Sequence, residues 1–329
     1  MQKILITVLL FTNLLMSSER FTNTNNISYE RSFKEFLKWT LTSKNPERVQ
    51  IETSNEWENL EQDYRNYIVW IGHATFLINV DGTNILTDPV FSKRASPLRL
   101  AGPKRYIPAA IPLDRLPKID VVTISHNHYD HLDIRALKKL FERNKDTIFL
   151  VPKGDRKLLQ KKGIKNVYEF LWWEDIEFNE GLKFTYTPVQ HWSARGLRDR
   201  NKSLWGGWFM KFLELTIYHA GDTGYSADFI ETRKRLGSPD LSLIPIGAYA
   251  PQWFMSYSHV NPEEAVQISQ DLESKQSLAM HWGTFPLTDE EVLEPPALLK
   301  KALAEKDLDE EYFKTLKPGE IFNLSQQEP

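Results

Sequence analysis

Apolar and polar positions along the chain follow two rhythms. "YERSFKEFLKWTL" (29–41) sets Phe33, Phe36, Leu37 and Leu41 at helical spacing, which predicts a helix packed on the main domain. Its lysines leave membrane-surface contact as the alternative. From 67 the period shortens. "YIVWIGHATFLINV" reads as one strand, "DG" at 81–82 as a hairpin turn and "TNILTDP" as the returning strand. A proline-rich loop, "GPKRYIPAAIPLDRLPKID", precedes the short buried strand "VVTIS" (121–125). A helix over 133–144, the strand "TIFLVP" and a helix over 155–162 follow.

The second half repeats the pattern. "LKFTYTPVQH", "SLWGGWFMKF" and "LTIYHAGD" predict strands, then a helix near 226–236, the strand "DLSLIPIG", the helix "NPEEAVQISQDL" and a last strand, "SLAMHWG". Asn261, Pro262 and the acids at 263–264 supply a cap, a first-turn proline and first-turn negative charge for that helix. Strand-rich halves with interspersed helices predict two sheets covered by helices in one large domain.

Composition narrows the function. Net charge is −3 and the acidic and basic side chains nearly balance, so the chain carries no broad electrostatic footprint for nucleic acid. There is no cysteine, which excludes disulfides and thiolate nucleophiles and restricts any metal site to nitrogen and oxygen ligands. "MQK", an apolar run and "SSER" have the layout of a secretory leader, so 1–18 reads as a signal peptide or N-terminal anchor, 19–66 as an extension with one helix, and 67–325 as the main domain. That layout predicts export to the periplasm or membrane, with the cytoplasm as the alternative.

The chain has eight histidines, and "SHNHYDHLD" (125–133) holds three of them. His126 and His128 follow a buried strand directly, and Asp130 and His131 lie on the turn that opens the next helix. Buried without an ion, such a cluster would carry repulsion or desolvation that nothing offsets. His191, Asp222 and His281 each stand at another strand end, where a scaffold exposes functional groups. Together the seven donors are too many for one tetrahedral ion and suit two. Zinc, iron and manganese all accept this imidazole and carboxylate set.

"SHNHYDHLD" also matches the H-x-H-x-D-H signature of the metallo-β-lactamase superfamily. "GHATFLI", "LTDPVFSKRASP", "GPKRY", "QHWSARGLRDRNKSLWGGW", "AGDTGY", "HVNPEEAV" and "MHWGTF" carry the likeness further. Over about 67–300 the chain resembles the N-acylphosphatidylethanolamine-hydrolysing phospholipase D family. The resemblance implies a four-layer αββα sandwich of the α/β class with two zinc ions at the sheet edge. It implies His126, His128 and His191 on one ion, Asp130, His131 and His281 on the other, and Asp222 between them. His259 falls where the family has a histidine close to the scissile phosphate. The implied reaction is attack on a phospholipid phosphodiester by a metal-bridging hydroxide, with Asp130 and His259 in the catalytic set. Peripheral membrane association would accompany such a substrate.

Other residues carry less specific signals. His73 is placed mid-strand by the pattern and is either a hydrogen-bonding partner of a metal ligand or a core histidine. Arg195, Arg198 and Lys202 could clamp a phosphate headgroup, and Trp253, Phe254 and Met255 could line an acyl slot beside His259. Two other functions remain open to the sequence: opening of a lactone or related ring by the same hydroxide, and a non-catalytic metal- or lipid-binding module.

Overall fold

The computed structural model describes residues 20–26, 33–44, 46–60 and 66–324. The leader expected at 1–18 lies outside the described residues. The first half of the domain supplies β1 (Tyr67–Gly72), β2 (Thr75–Val80), β3 (Thr83–Thr87), β4 (Val121–Thr123), β5 (Ile148–Pro152) and β6 (Val167–Phe170). The second supplies β7 (Asp175–Asn179), β8 (Leu182–Thr187), β9 (Gly207–Lys211), β10 (Thr216–His219), β11 (Leu241–Pro245), β12 (Gln276–Met280) and β13 (Phe313–Lys314). These make two seven-stranded sheets, the chain closing the first with β14 (Ile321–Asn323) against β1. Both sheets are mixed: β3 to β6 run parallel, as do β10 to β13, and the remaining pairs are antiparallel.

Burial on both faces explains the near-continuous apolar strands. In β1, Ile68 and Trp70 enter the core shared with Phe184, Tyr186, Trp208 and Met210 of the second sheet. Val69 and Ile71, on the opposite face, pack with Leu137, Leu140 and Phe141 of the helix Ile134–Arg143. Ala265 and Ile268 of Pro262–Asp271 and Leu299 and Leu303 of Glu294–Glu305 cover the second sheet. Helix, sheet, sheet and helix give the αββα sandwich.

Several expectations change in detail. "YIVWIGHATFLINV" is two strands, because the chain reverses at His73 and Ala74; His73 sits in that turn at φ 58° and not in mid-strand. "SLAMHWG" is not the last strand, since β13 and β14 follow it. The N-terminal helix spans Phe33–Thr42. It meets the domain through Trp39, stacked 5.1 Å from Phe254, and Lys38, over the Trp253 ring at 4.4 Å. Leu37 and Leu41, expected to face inward, are exposed. Among the described residues no helix is long and apolar enough to cross a membrane.

Phe184 is fully buried between the sheets. Phe184→Ala is expected to destabilise the domain by about 3–5 kcal/mol through lost transfer energy and a residual cavity, read as a fall in the urea midpoint at unchanged slope.

Candidate metal centre

Four chain segments converge at one edge of the two sheets. β4 runs into Ser125 and His126. The next turn closes when His128 O accepts from His131 N (3.1 Å) and Leu132 N (2.8 Å), and Asp133 caps the following helix through Arg135 N and Ala136 N. His191 follows β8, Asp222 follows β10 and His281 follows β12. Gly221 has φ 63°, and a Cβ there would stand 2.5 Å from Ser125 Cβ. Glycine is therefore required for the Asp222 loop to reach the His126 loop.

The donors form two groups that share one carboxylate. In the first, His126 Nε2 lies 2.8 Å from His128 Nδ1, and His191 Nε2 lies 3.3 Å from that same Nδ1. In the second, Asp130 Oδ2 stands 3.5 Å from His131 Nε2 and 3.6 Å from His281 Nε2. Asp222 reaches both. Its Oδ2 is 3.1 Å from His131 Nε2 and 3.8 Å from both His126 Nε2 and His191 Nε2, while Oδ1 is 3.0 Å from His281 Nε2. Despite these separations, His131 Nε2, His281 Nε2 and Asp222 Oδ1 are buried without an aligned hydrogen bond. Lone pairs crowded side by side but not aimed at one another are what ligands of a common ion look like. Two atoms bound at about 2.0–2.1 Å in a tetrahedral shell stand about 3.3–3.4 Å apart. The donor set thus fits a metal pair.

Electrostatics agree with that fit. Burial, with help from neighbouring imidazoles, holds His126 well below its usual range, and burial also pushes His128 and His191 down to about 3. These rings stay neutral, the form that coordinates a cation. Burial works against ionisation of Asp130 and Asp222, but His131 and its neighbours overcome it and hold both carboxyls well below the ordinary range. Burial likewise opposes a charge on His131 and His281, yet the carboxylates lift His131 well above normal and His281 to about 9. One buried carboxylate, Asp222, and one half-buried beside it, Asp130, demand positive charge, which either protons or a metal ion can provide.

Three of the remaining ring nitrogens are held from behind. His126 Nδ1 faces Ser125 Oγ at 3.0 Å, His191 Nδ1 faces Ser258 O at 2.9 Å, and His131 Nδ1 faces Asp88 Oδ2 at 2.7 Å. Asp88 also accepts from Ser125 N (2.7 Å) and Ser125 Oγ (2.5 Å). A carboxylate behind a ligating imidazole fixes its tautomer and raises its basicity. Sequence reasoning gave Asp88 no role. Its signal was present: an aspartate closing the apolar strand "TNILT", fully buried in the structure.

Of the weaker candidates, His73 Nε2 donates to Asp130 Oδ2 (3.0 Å), and its ring lies 3.9 Å from that of His281. It therefore orients ligands, with its backbone O accepting from His281 N. Arg195 is not aimed outward as a headgroup clamp. Its Nη1 donates to Asn127 O (2.7 Å) and Leu132 O (2.9 Å), bracing the ligand turn, and its guanidinium lies 4.0 Å from the Tyr129 ring centre. Arg198 and Lys202 are exposed. Lys202 lines a basic cavity with Arg20, Lys153, Arg156 and Lys157. Phe254 is buried and stacked on Trp39, Met255 is buried, and Trp253 is partly exposed under Lys38. Phe254 and Met255 are thus closed to an acyl chain, whereas Trp253 stays exposed. His259 keeps some exposure at the rim, Nδ1 3.9 Å from Asp222 Oδ2 and its ring 5.2 Å from that of His191. His219, fully buried at the end of β10, is held below its usual range by burial.

Comparison with known proteins agrees with the fold. Residues 83–282 match the family described as Beta-lactamase superfamily domain. The chain is 41% identical over 271 residues to N-acyl-phosphatidylethanolamine-hydrolyzing phospholipase D 1 of Caenorhabditis elegans, covering 79% of this chain and 76% of that one. It is 39% identical over 241 residues to the corresponding Saccharomyces cerevisiae protein, covering 71% of this chain and 51% of its relative, so it spans only about half the yeast protein. Among solved structures, a possible metal-dependent hydrolase from Veillonella parvula superposes with a TM-score of 0.63 at 19% identity, covering 80% of this chain and all of that one, a likeness of fold.

Asp88→Asn leaves His131 with a weaker, neutral partner. Metal retention against a chelator is expected to fall about 10–100-fold while the far-ultraviolet circular dichroism stays unchanged; undiminished retention would show that Asp88 serves only the fold.

Proposed function

Because the chain belongs to the N-acylphosphatidylethanolamine-hydrolysing phospholipase D-like family of the metallo-β-lactamase superfamily, we propose that this metal-dependent hydrolase cleaves a glycerophospholipid phosphodiester, releasing a phosphatidic-acid-type product, with two zinc ions as cofactor. The observation that carries the reading is Asp222: its two oxygens lie 3.1 and 3.0 Å from His131 and His281 of one group, and its Oδ2 lies 3.8 Å from His126 and His191 of the other. His126, His128 and His191 would hold one ion, Asp130, His131 and His281 the other, and Asp222 would touch both. When bound, a pair of divalent cations acidifies a water toward neutrality and offsets charge on a phosphate oxygen.

The chain's own residues do the rest. Asp88 and Ser258 O orient His131 and His191, and His73 orients Asp130, so the ligand atoms need little rearrangement as charge develops. His259, at the rim, holds a proton where the leaving oxygen departs. Trp192 packs 4.3 Å from the His128 ring beneath Arg200, and Trp282 stacks on Trp70, which limits water around the donors.

Purified protein is expected to hydrolyse N-acylphosphatidylethanolamine, to lose that activity on chelation and to regain it with zinc. Lactone turnover well above phosphodiester turnover would reject the assignment, and full activity in metal-stripped protein would reject the metal mechanism. His259→Ala should lower kcat on the lipid by about 10²–10⁴ with metal content unchanged. On bis-p-nitrophenyl phosphate the loss should be much smaller, because p-nitrophenolate leaves without a proton.

A further inference from the structure

We infer that Asn23, far from the ligand motifs in sequence, is a positioning residue for His191 and so for the ion that His191 would hold; the inference rests on the metal reading above. Asn23 is 4% exposed. Its Nδ2 donates to His191 O (3.1 Å), and its Oδ1 accepts from His191 N (3.1 Å). The side-chain amide thus clasps the His191 backbone on both sides, as a neighbouring strand would. The same amide donates to the Tyr257 hydroxyl (2.6 Å) and accepts from Trp205 Nε1 (2.8 Å).

Those four bonds use both amide hydrogens and both carbonyl lone pairs. A rotated amide would break all four, so the orientation is fixed by chemistry. The effect converges on one imidazole. Asn23 holds the backbone of His191, while Ser258 O holds its ring from behind at 2.9 Å. Ser258 adjoins both Tyr257, which Asn23 also bonds, and the rim residue His259. One amide therefore sets the ligand and the segment that orients it.

The flanking chain keeps the amide in place. Phe21 N donates to Asn201 O (2.8 Å), Thr24 Oγ1 to Asp228 Oδ1 (2.6 Å) and Asn25 Nδ2 to Gln190 Oε1 (2.9 Å). Residues 20–26 lie across the loop that carries His191, anchored on either side of Asn23. None of these side chains is among the proposed ligands, so the segment acts through His191 and not on substrate.

The test uses the full chain loaded with zinc, with Asn23→Ala and Asn23→Asp. Asn23→Asp keeps the accepted bonds but turns a carboxylate oxygen toward His191 O. In chelator competition the wild type is expected to release two zinc equivalents. In both variants one equivalent should be lost about 10–100-fold more readily, the other staying near wild type. In the cobalt-substituted variants the absorption bands of that ion should change. A staple for the fold alone would lower the melting temperature of the metal-free protein without changing zinc release well below melting. Release curves matching wild type in both variants overturn the inference, whatever their melting temperatures. A wild type that binds no zinc overturns the metal reading itself, and this inference with it. Should Asn23→Ala fail to fold, Tyr257→Phe, which removes only one of the amide's bonds, is expected to weaken the same equivalent to a smaller degree; no change there and in Asn23→Asp would count against Asn23.

Discussion

Two carboxylates that must stay ionised at the edge of the core, Asp222 buried and Asp130 half-buried, set the terms for everything around them. Asp130 and Asp222 are enclosed by imidazoles, and His131 stands within 3.5 Å of both. An uncompensated buried charge costs several kcal/mol, so the surrounding chain is arranged to supply positive charge or accept it from an ion. The division of the histidines follows. His126, His128 and His191 are kept neutral by burial, whereas His131 and His281 are drawn toward the charged form by the carboxylates. A metal pair would satisfy both halves, balancing the carboxylates and using the neutral lone pairs.

The sandwich explains how such a cluster is held without collapsing. Ligands come from the C-terminal ends of β4, β8, β10 and β12, two of them central parallel strands of the second sheet and one of the first. The sheets are locked together through the same residues that begin the ligand loops. Trp208 Nε1 donates to Ile124 O and Tyr186 Oη to Ser125 O, each crossing from the second sheet to the strand before His126. Core packing and ligand spacing are therefore one constraint. Displacing the sheets would pull His126 away from Asp222, which is why the shared core can impose a geometry that no single loop specifies.

How much of this was legible in the sequence depended on how local the cause was. The H-x-H-x-D-H turn, the capped helix at Asn261 and the strands "VVTIS" and "DLSLIPIG" were readable because spacing and burial there follow from adjacent residues. Asn261 and Glu264 form the reciprocal cap that their separation suggested. The turn at His73 was hidden because apolar residues continue on both sides and only Gly72, at φ 127°, marks the reversal. β6 and β7 were missed because their faces are partly exposed and their apolar runs short; β13 has two residues and exists only by pairing with β12. Asp88, Arg195 and Asn23 share a deeper difficulty. Each acts through a partner from 37 to 168 positions away, and nothing in the local pattern names it.

That difficulty also locates where specificity must reside. The proposed ligands and the groups behind them sit on strand ends and would serve any substrate that bound ions could polarise. Selection among lipids, lactones and other esters has to come from segments outside the two sheets. Two candidates border the centre: the loop 192–203, where Trp192 and Arg200 stack beside His128, and the 252–259 segment, where Trp253 and Phe254 pack under the N-terminal helix before His259. Both are tied to the N-terminal chain, through Phe21 and Asn201 in one case and Trp39 and Phe254 in the other. The N-terminal residues, outside the matched family region, thus support the walls of the centre, and a change of substrate in this fold need not touch a single metal ligand.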